Sequence, residues 1–182
     1  MRDVVLFIAM SLDGYIASQD GGVDWLVGQD PESTEPGSYP RFIAGVSDIV
    51  MGIATYRQLV TELCPDAWPY PDKTTYVLTH RADEAAREGV MFTQEPLPEL
   101  VARLKSQAGG EIWICGGASV ANQCIRLGLI ERYHISVIPA IRGGGIRLFE
   151  AFDTPKKLRL LSTESYNGIV DLVYLEGGEG HI

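Results

Sequence analysis

The chain has 182 residues, 46% hydrophobic and 21% charged, the balance of one globular domain large enough to bury a core. A formal charge of −9 without any Lys/Arg cluster argues against a nucleic-acid surface, because such surfaces work by neutralising phosphates. No apolar run reaches the roughly 18 residues that span a bilayer, and the N-terminus lacks a signal-peptide layout. A cytoplasmic protein without membrane contact is expected.

Taken in order, residues 4–9 predict a first buried strand, bracketed by Asp3 and Asp13. Residues 27–38, rich in glycine, proline, serine and acids, predict a mobile surface loop. A helix over 39–45, a strand over 48–51, a helix over 54–63 and strands over 74–79 and 90–92 follow. The helix predicted over 97–108 places Leu97, Leu100, Val101 and Leu104 on one face, between the stop signals Pro96 and Gly109-Gly110. A strand over 112–115 then runs into a helix over 119–127. A strand over 132–138 precedes the Gly143-Gly144-Gly145 run. Strands over 158–166 and 169–176 are separated by Asn167-Gly168, a strong two-residue hairpin signal. The alternation predicts a single α/β domain over residues 1–182. It has a mixed, mostly parallel central sheet of about eight strands, helices on both faces and a C-terminal antiparallel hairpin.

The three cysteines, Cys64, Cys115 and Cys124, lack paired spacing and read as free thiols, and the three histidines, His80, His134 and His181, are scattered. No metal site is expected.

The chemistry starts at Gly116-Gly117, where a buried strand turns straight into a helix with no side chains in the corner. Such a corner lets a phosphate approach bare N–H groups at a helix N-terminus; equally, the glycines serve a tight turn. Ligands of parallel α/β sheets bind outside the carboxyl ends of the strands. Here those ends carry Ser11-Leu12-Asp13-Gly14, Gly52-Ile53-Ala54-Thr55, Thr79-His80-Arg81 and Gly116-Gly117. Asp13-Gly14 also reads as a turn, and Arg81 as a solvated surface cation. Glycines, hydroxyls and an arginine on these strand ends point to an extended anionic ligand lying across the sheet.

Ser11-Leu12-Asp13-Gly14-Tyr15-Ile16-Ala17, Asp24-Trp25-Leu26, Ile49-Val50-Met51-Gly52 with Thr55-Tyr56, Cys115-Gly116-Gly117 and Gly144-Gly145-Ile146-Arg147-Leu148-Phe149 occur in this order. Together they resemble the dihydrofolate-reductase-like superfamily, and more closely the stand-alone relatives of the reductase domain of riboflavin-biosynthesis deaminase–reductases. The resemblance implies an NADPH-dependent reductase that transfers a hydride to a pteridine- or pyrimidine-type small molecule, and a homodimer. It implies that Gly116, Gly117, Ala118, Ser119 and Val120 hold the pyrophosphate and flank the nicotinamide. Gly52 and Thr55 then sit at a second cofactor-contacting helix N-terminus. Thr79, His80 and Arg81 lie near the adenosine ribose and its 2′-phosphate, and Ala9 packs by the carboxamide. Asp13, Gly14, Asp24 and Trp25 border the reducible ring, and Ser136 takes the place of a substrate-side threonine.

The pattern departs from the family at Ile53, where a basic residue usually meets the 2′-phosphate. Either Arg81 or Arg57 replaces it, or NADH is accepted as well. Losing one charged hydrogen bond costs roughly 1.5–3 kcal/mol, about ten- to hundredfold in affinity. Asp30, Glu32 and Glu35 follow Trp25, but none aligns with the pterin-binding carboxylate of dihydrofolate reductases. Arg142 and Arg147, beside the glycine run, read either as phosphate partners or as surface cations. The competing expectation is a non-catalytic nucleotide-binding module that keeps the fold without turnover.

Overall fold

The computed structural model describes residues 2–80 and 86–177. Its first strand, β1 (Val4–Ser11), has Val4, Val5 and Leu6 fully buried. A strand apolar on both faces belongs inside a parallel sheet with helices above and below. The other long strands are β3 (Val46–Gly52), β4 (Thr74–Leu78), β5 (Val90–Thr93), β6 (Glu111–Gly116), β7 (Arg132–Ile138), β9 (Leu158–Tyr166) and β10 (Ile169–Glu176). They form an eight-stranded sheet in the order β5-β4-β3-β6-β1-β7-β10-β9. Every pairing from β5 to β7 is parallel, whereas β10 runs antiparallel to both β7 and β9. The β9–β10 connection is Asn167-Gly168 with φ of 45° and 77°, the left-handed pair of a type I′ hairpin.

Alternate side chains feed two cores. Val4, Leu6, Val50, Ile112 and Ile114 face α3 (Leu97–Ser106) and α4 (Ala118–Arg126). Val5, Ile49, Met51, Val77 and Trp113 face α1 (Tyr39–Gly45) and α2 (Ile53–Gln58), through Phe42 and Tyr56. The amino edge of the sheet is closed by Arg2, which is 7% exposed. Its guanidinium donates to the Gly110 carbonyl at 2.6 Å, the Leu104 carbonyl at 2.9 Å and the Ser47 hydroxyl at 2.6 Å, and it pairs with the Asp48 carboxylate.

Several expectations change in detail. β1 runs on to Ser11, β4 stops at Leu78 and α3 at Ser106. α2 begins one residue early and passes into a wider π-turn over Leu59–Leu63. Two short strands, β2 (Tyr15–Ala17) and β8 (Ile146–Arg147), pair as a separate small sheet that the pattern did not reveal.

The loop expected to be mobile is docked on the β9–β10 turn. The N–H of Gln29 donates to the Asn167 carbonyl at 2.9 Å, and that of Asp30 to Asn167 Oδ1 at 2.8 Å. Asn167 Nδ2 returns a bond to the Asp30 carbonyl at 2.9 Å, and its N–H donates to the Glu35 carboxylate at 2.6 Å. The polar residues that suggested mobility are partners of the hairpin.

Candidate active site

α1 precedes β3, whereas α2 follows β3 and α4 follows β6, so all three helices point their N-termini toward the carboxyl edge. β3 and β6 are neighbours, and α2 and α4 pack on opposite faces, so their first turns meet over that edge. A Cβ added at Gly52 would lie 3.3 Å from Val120 Cγ2, and one at Gly117 would lie 3.3 Å from Thr55 Oγ1. Neither N-cap, Gly52 or Gly117, is a capping side chain, so first-turn N–H groups point outward where the helix dipole favours an anion. Gly116 has φ of 114°, which disfavours any side chain, and the Gly116-Gly117 peptide is cis.

The remaining expected cofactor positions among the described residues sit along the same edge. Ala9 pairs with Ser136. Ser119 is exposed on the first turn of α4. Thr79 is buried just beyond β4, its N–H donating to the Thr93 carbonyl at 3.0 Å, and His80 is exposed beside it. Arg81 lies outside the described residues. Arg57 is in the last turn of α2, away from the N-cap.

The expected substrate-side residues fall apart into Asp13 and Trp25, gathered around Arg142, and Ser136, beside Asp171. Asp13 ties loops together: its carboxylate accepts from the N–H groups of Arg142 at 2.9 Å and Gly143 at 2.7 Å and from the Ser11 hydroxyl at 2.6 Å. The Arg142 N–H, then the Ser11 hydroxyl and further backbone N–H groups, hold this carboxyl at about 2. Asp24 is exposed. Trp25 lies beneath the Arg142 guanidinium, 5.2 Å from its ring centroid, and its indole N–H is buried without a hydrogen-bond partner among the described residues. Arg142 Nη2 also donates to Ser18 at 2.7 Å, and Arg147 stacks over Tyr15 at 4.6 Å.

Ser136 is buried within a network centred on Asp171, which is 1% exposed. The Ser38 hydroxyl donates to Asp171 Oδ2, His134 Nε2 lies 3.2 Å from the same oxygen, and the Tyr166 hydroxyl donates to Oδ1 at 3.3 Å. Burial works to raise the Asp171 carboxyl, but hydrogen bonds from His134, Ser136 and Ser38 outweigh it and hold the carboxyl below its ordinary range. The buried acid beside Ser136 therefore comes from β10. Asp30 and Glu35 of the early loop are exposed and bound to Asn167. The available signal was Asp171 itself, an acid at an inward position of the apolar run Ile169–Glu176.

A second group missed from the sequence lies between α1 and the Gly116 corner. Trp113 donates its indole N–H to the Phe7 carbonyl at 2.9 Å, which fixes the ring. Tyr39 and Tyr70 pack on it with centroid distances of 6.1 and 5.5 Å. The two tyrosine hydroxyls lie close to one another, and the Tyr70 hydroxyl lies close to the Cys115 thiol. Burial pushes Cys115 up to about 12, so the thiol stays protonated. Across α1, a groove of about 340 Å³ is lined in part by Arg41, Glu111, Arg132 and Glu164. Those charges pair with one another, and the corner glycines do not line it.

A largely parallel sheet whose carboxyl edge holds two bare helix N-termini, closed by an antiparallel hairpin, defines the dihydrofolate-reductase-like α/β class. The RibD C-terminal domain model matches residues 2–172, and the chain belongs to that family. It is 40% identical over 174 residues to the Bacillus subtilis (strain 168) protein YwjB, covering 96% of this chain and 98% of YwjB. A solved structure from Shewanella sp. PV-4, whose description provisionally assigns it to riboflavin biosynthesis, is 26% identical with a TM-score of 0.83, covering 98% of this chain and all of that one. Dihydrofolate reductase from Enterococcus faecalis, complexed with NADP(H) and RAB-propyl, shares the fold at 19% identity and a TM-score of 0.64, covering 97% of each chain. The family is of reductase type.

Proposed function

We propose that this chain is an NADPH-dependent reductase acting on a C=N or carbonyl group of a pteridine- or pyrimidine-type substrate, of the kind reduced in the riboflavin pathway. The observation that carries the reading is the contact between the Gly52 and Gly117 helix N-termini, a cradle of bare backbone that an added Cβ would begin to fill. It fits a pyrophosphate, which needs N–H donors at close approach and no side chain in between. Gly116, Gly117, Ala118, Ser119 and Val120 would hold it from one side, Gly52 and Thr55 from the other. Thr79, His80 and Arg81 would border the adenosine ribose, and Ala9 the carboxamide.

A bound reduced nicotinamide supplies the hydride; the protein supplies orientation, exclusion of water and a proton. The half-buried Phe7 ring, packed on the fixed and buried Trp113, offers an apolar surface beside the corner. The buried Trp25 indole N–H, without a hydrogen-bond partner among the described residues, suits an acceptor on the substrate. Location in the cytoplasm and a homodimer complete the proposal. Leu158, Leu160 and Leu161, exposed on the outer strand β9, suit such a self-association.

One observation favours a second reading. Ile53 stands where a cation would meet the 2′-phosphate, and Arg57 points from the other end of α2. This suits relaxed choice between NADPH and NADH, or a nucleotide-binding module without turnover.

Titration of NADPH against the fluorescence of the three tryptophans measures cofactor binding, and loss of NADPH absorbance over a panel of pterins and pyrimidines measures turnover. Saturable binding with turnover is expected. No binding at millimolar cofactor overturns both readings, and binding without turnover leaves the second. Gly117→Val should weaken NADPH binding at least about tenfold while the domain stays folded, because its φ of −74° accepts a side chain. Unchanged affinity would make the corner merely structural.

A further inference from the structure

Tyr39 combines partial exposure with a fixed setting beside the corner. It opens α1, is 39% exposed, and packs between Phe7, at 5.9 Å, and Trp113, at 6.1 Å between centroids. Trp113 cannot turn away without losing its bond to the Phe7 carbonyl. The backbone behind Tyr39 is equally held, because Ser38 is anchored on Asp171. Its hydroxyl meets that of Tyr70, which is 8% exposed and sits against the protonated Cys115 thiol. Cys115 is the residue immediately before Gly116, so these groups run from α1 to beside the proposed nicotinamide pocket.

The more obvious proton sources are otherwise engaged. Asp13 is bound to Ser11, Arg142 and Gly143, and Asp171 is 1% exposed with Ser38, His134 and Tyr166 around it. Burial raises the Tyr39 and Tyr70 hydroxyls above the usual phenol range, keeping both as donors at neutral pH.

We propose that Tyr39, backed by Tyr70, is the substrate-side donor of this site and delivers the proton that accompanies hydride transfer. The proposal rests on the reductase reading above. As the electrophilic carbon of a C=N or C=O group gains the hydride, its π bond opens onto nitrogen or oxygen. That atom takes the Tyr39 hydroxyl proton, Tyr70 donates to the resulting phenolate, and water at the exposed edge of Tyr39 restores the proton. The ligand class is a flat heterocycle that stacks near Phe7 and Trp113 and presents an acceptor to Tyr39.

The test uses wild type, Tyr39→Phe and Tyr70→Phe with two probes, 7,8-dihydrofolate and 5-aminouracil, each with NADPH. Tryptophan fluorescence reports binding, the Trp113 ring lying 6.1 Å from that of Tyr39. Wild type should bind at least one probe at millimolar concentration. Tyr39→Phe should keep NADPH affinity but weaken the probe several-fold, and should slow turnover of any reduced probe about hundredfold, chiefly in kcat. Tyr70→Phe should lose about tenfold in kcat and steepen its fall at low proton availability. The proposal is overturned if the wild type binds NADPH but neither probe, or if Tyr39→Phe leaves probe affinity and kcat unchanged. Failure of NADPH itself to bind is a separate result and removes the reductase reading with it.

Discussion

Replacing Asp171 by alanine removes the carboxylate on which Ser38, His134 and Tyr166 converge. A hydrogen bond to a charged group is worth about 1.5–3 kcal/mol, and breaking a buried polar pair leaves its partners unsatisfied at about 3–5 kcal/mol. With Asp171 1% exposed, solvent screening offers little relief. The expected loss is about 3–5 kcal/mol, which for a domain of this size lowers Tm by about 6–20 °C. Urea and thermal melts of wild type, Asp171→Ala, Ser38→Ala and the double variant should give a coupling of at least about 0.5 kcal/mol. The pH dependence has a definite sign. The folded carboxyl is held below its ordinary range, so its contribution is full at neutral pH and is lost as pH falls through the folded value. The gap between wild type and Asp171→Ala should therefore narrow once pH drops below about 4. A loss under about 1 kcal/mol at neutral pH, or a gap that widens in acid, would refute the reasoning.

Arg2→Ala strands the buried Asp48 carboxylate and leaves the Gly110 and Leu104 carbonyls without their donor, so a destabilisation of about 3–5 kcal/mol is expected in a urea melt. NADPH affinity should be unchanged in the folded fraction, because Arg2 lies at the opposite edge of the sheet. Asn167→Ala removes the side-chain bonds to Asp30 and leaves a non-glycine residue at φ of 45°. Limited proteolysis should then cut within residues 27–38 faster than in wild type while the core fragment persists.

The long elements were legible because each follows a simple period. β1 is apolar on both faces, α3 repeats its leucines at helical spacing, and Asn167-Gly168 can hardly be anything but a hairpin turn. The glycine corner was legible as well, since bare backbone between a strand and a helix has few uses. What escaped depends on side chains from distant segments meeting. β2 and β8 are too short for any periodicity and exist only because each pairs with the other. Asp171 is 35 residues beyond Ser136 in the chain yet directly opposite it across the sheet, a register that no local pattern encodes. Tyr39 and Tyr70 acquire meaning only from Trp113 and Cys115 between them. The loop over residues 27–38 shows the same limit, because its composition is that of a free loop and its partners lie more than a hundred residues away.

That loop-to-hairpin clasp also sets an order of manufacture. Asp30 reaches Asn167 across 137 positions, and Ser38 reaches Asp171 across 133. A ribosome delivers β9 and β10 after every other described strand, so the segment leading into Tyr39 lacks these partners until more than a hundred further residues have emerged. A chain cut short before β9 would retain Gly52 and Gly117 but lack the anchor for the substrate wall. The glycine corner thus belongs to the early part of the chain, and the wall beside it is finished only when the β9–β10 hairpin arrives behind it.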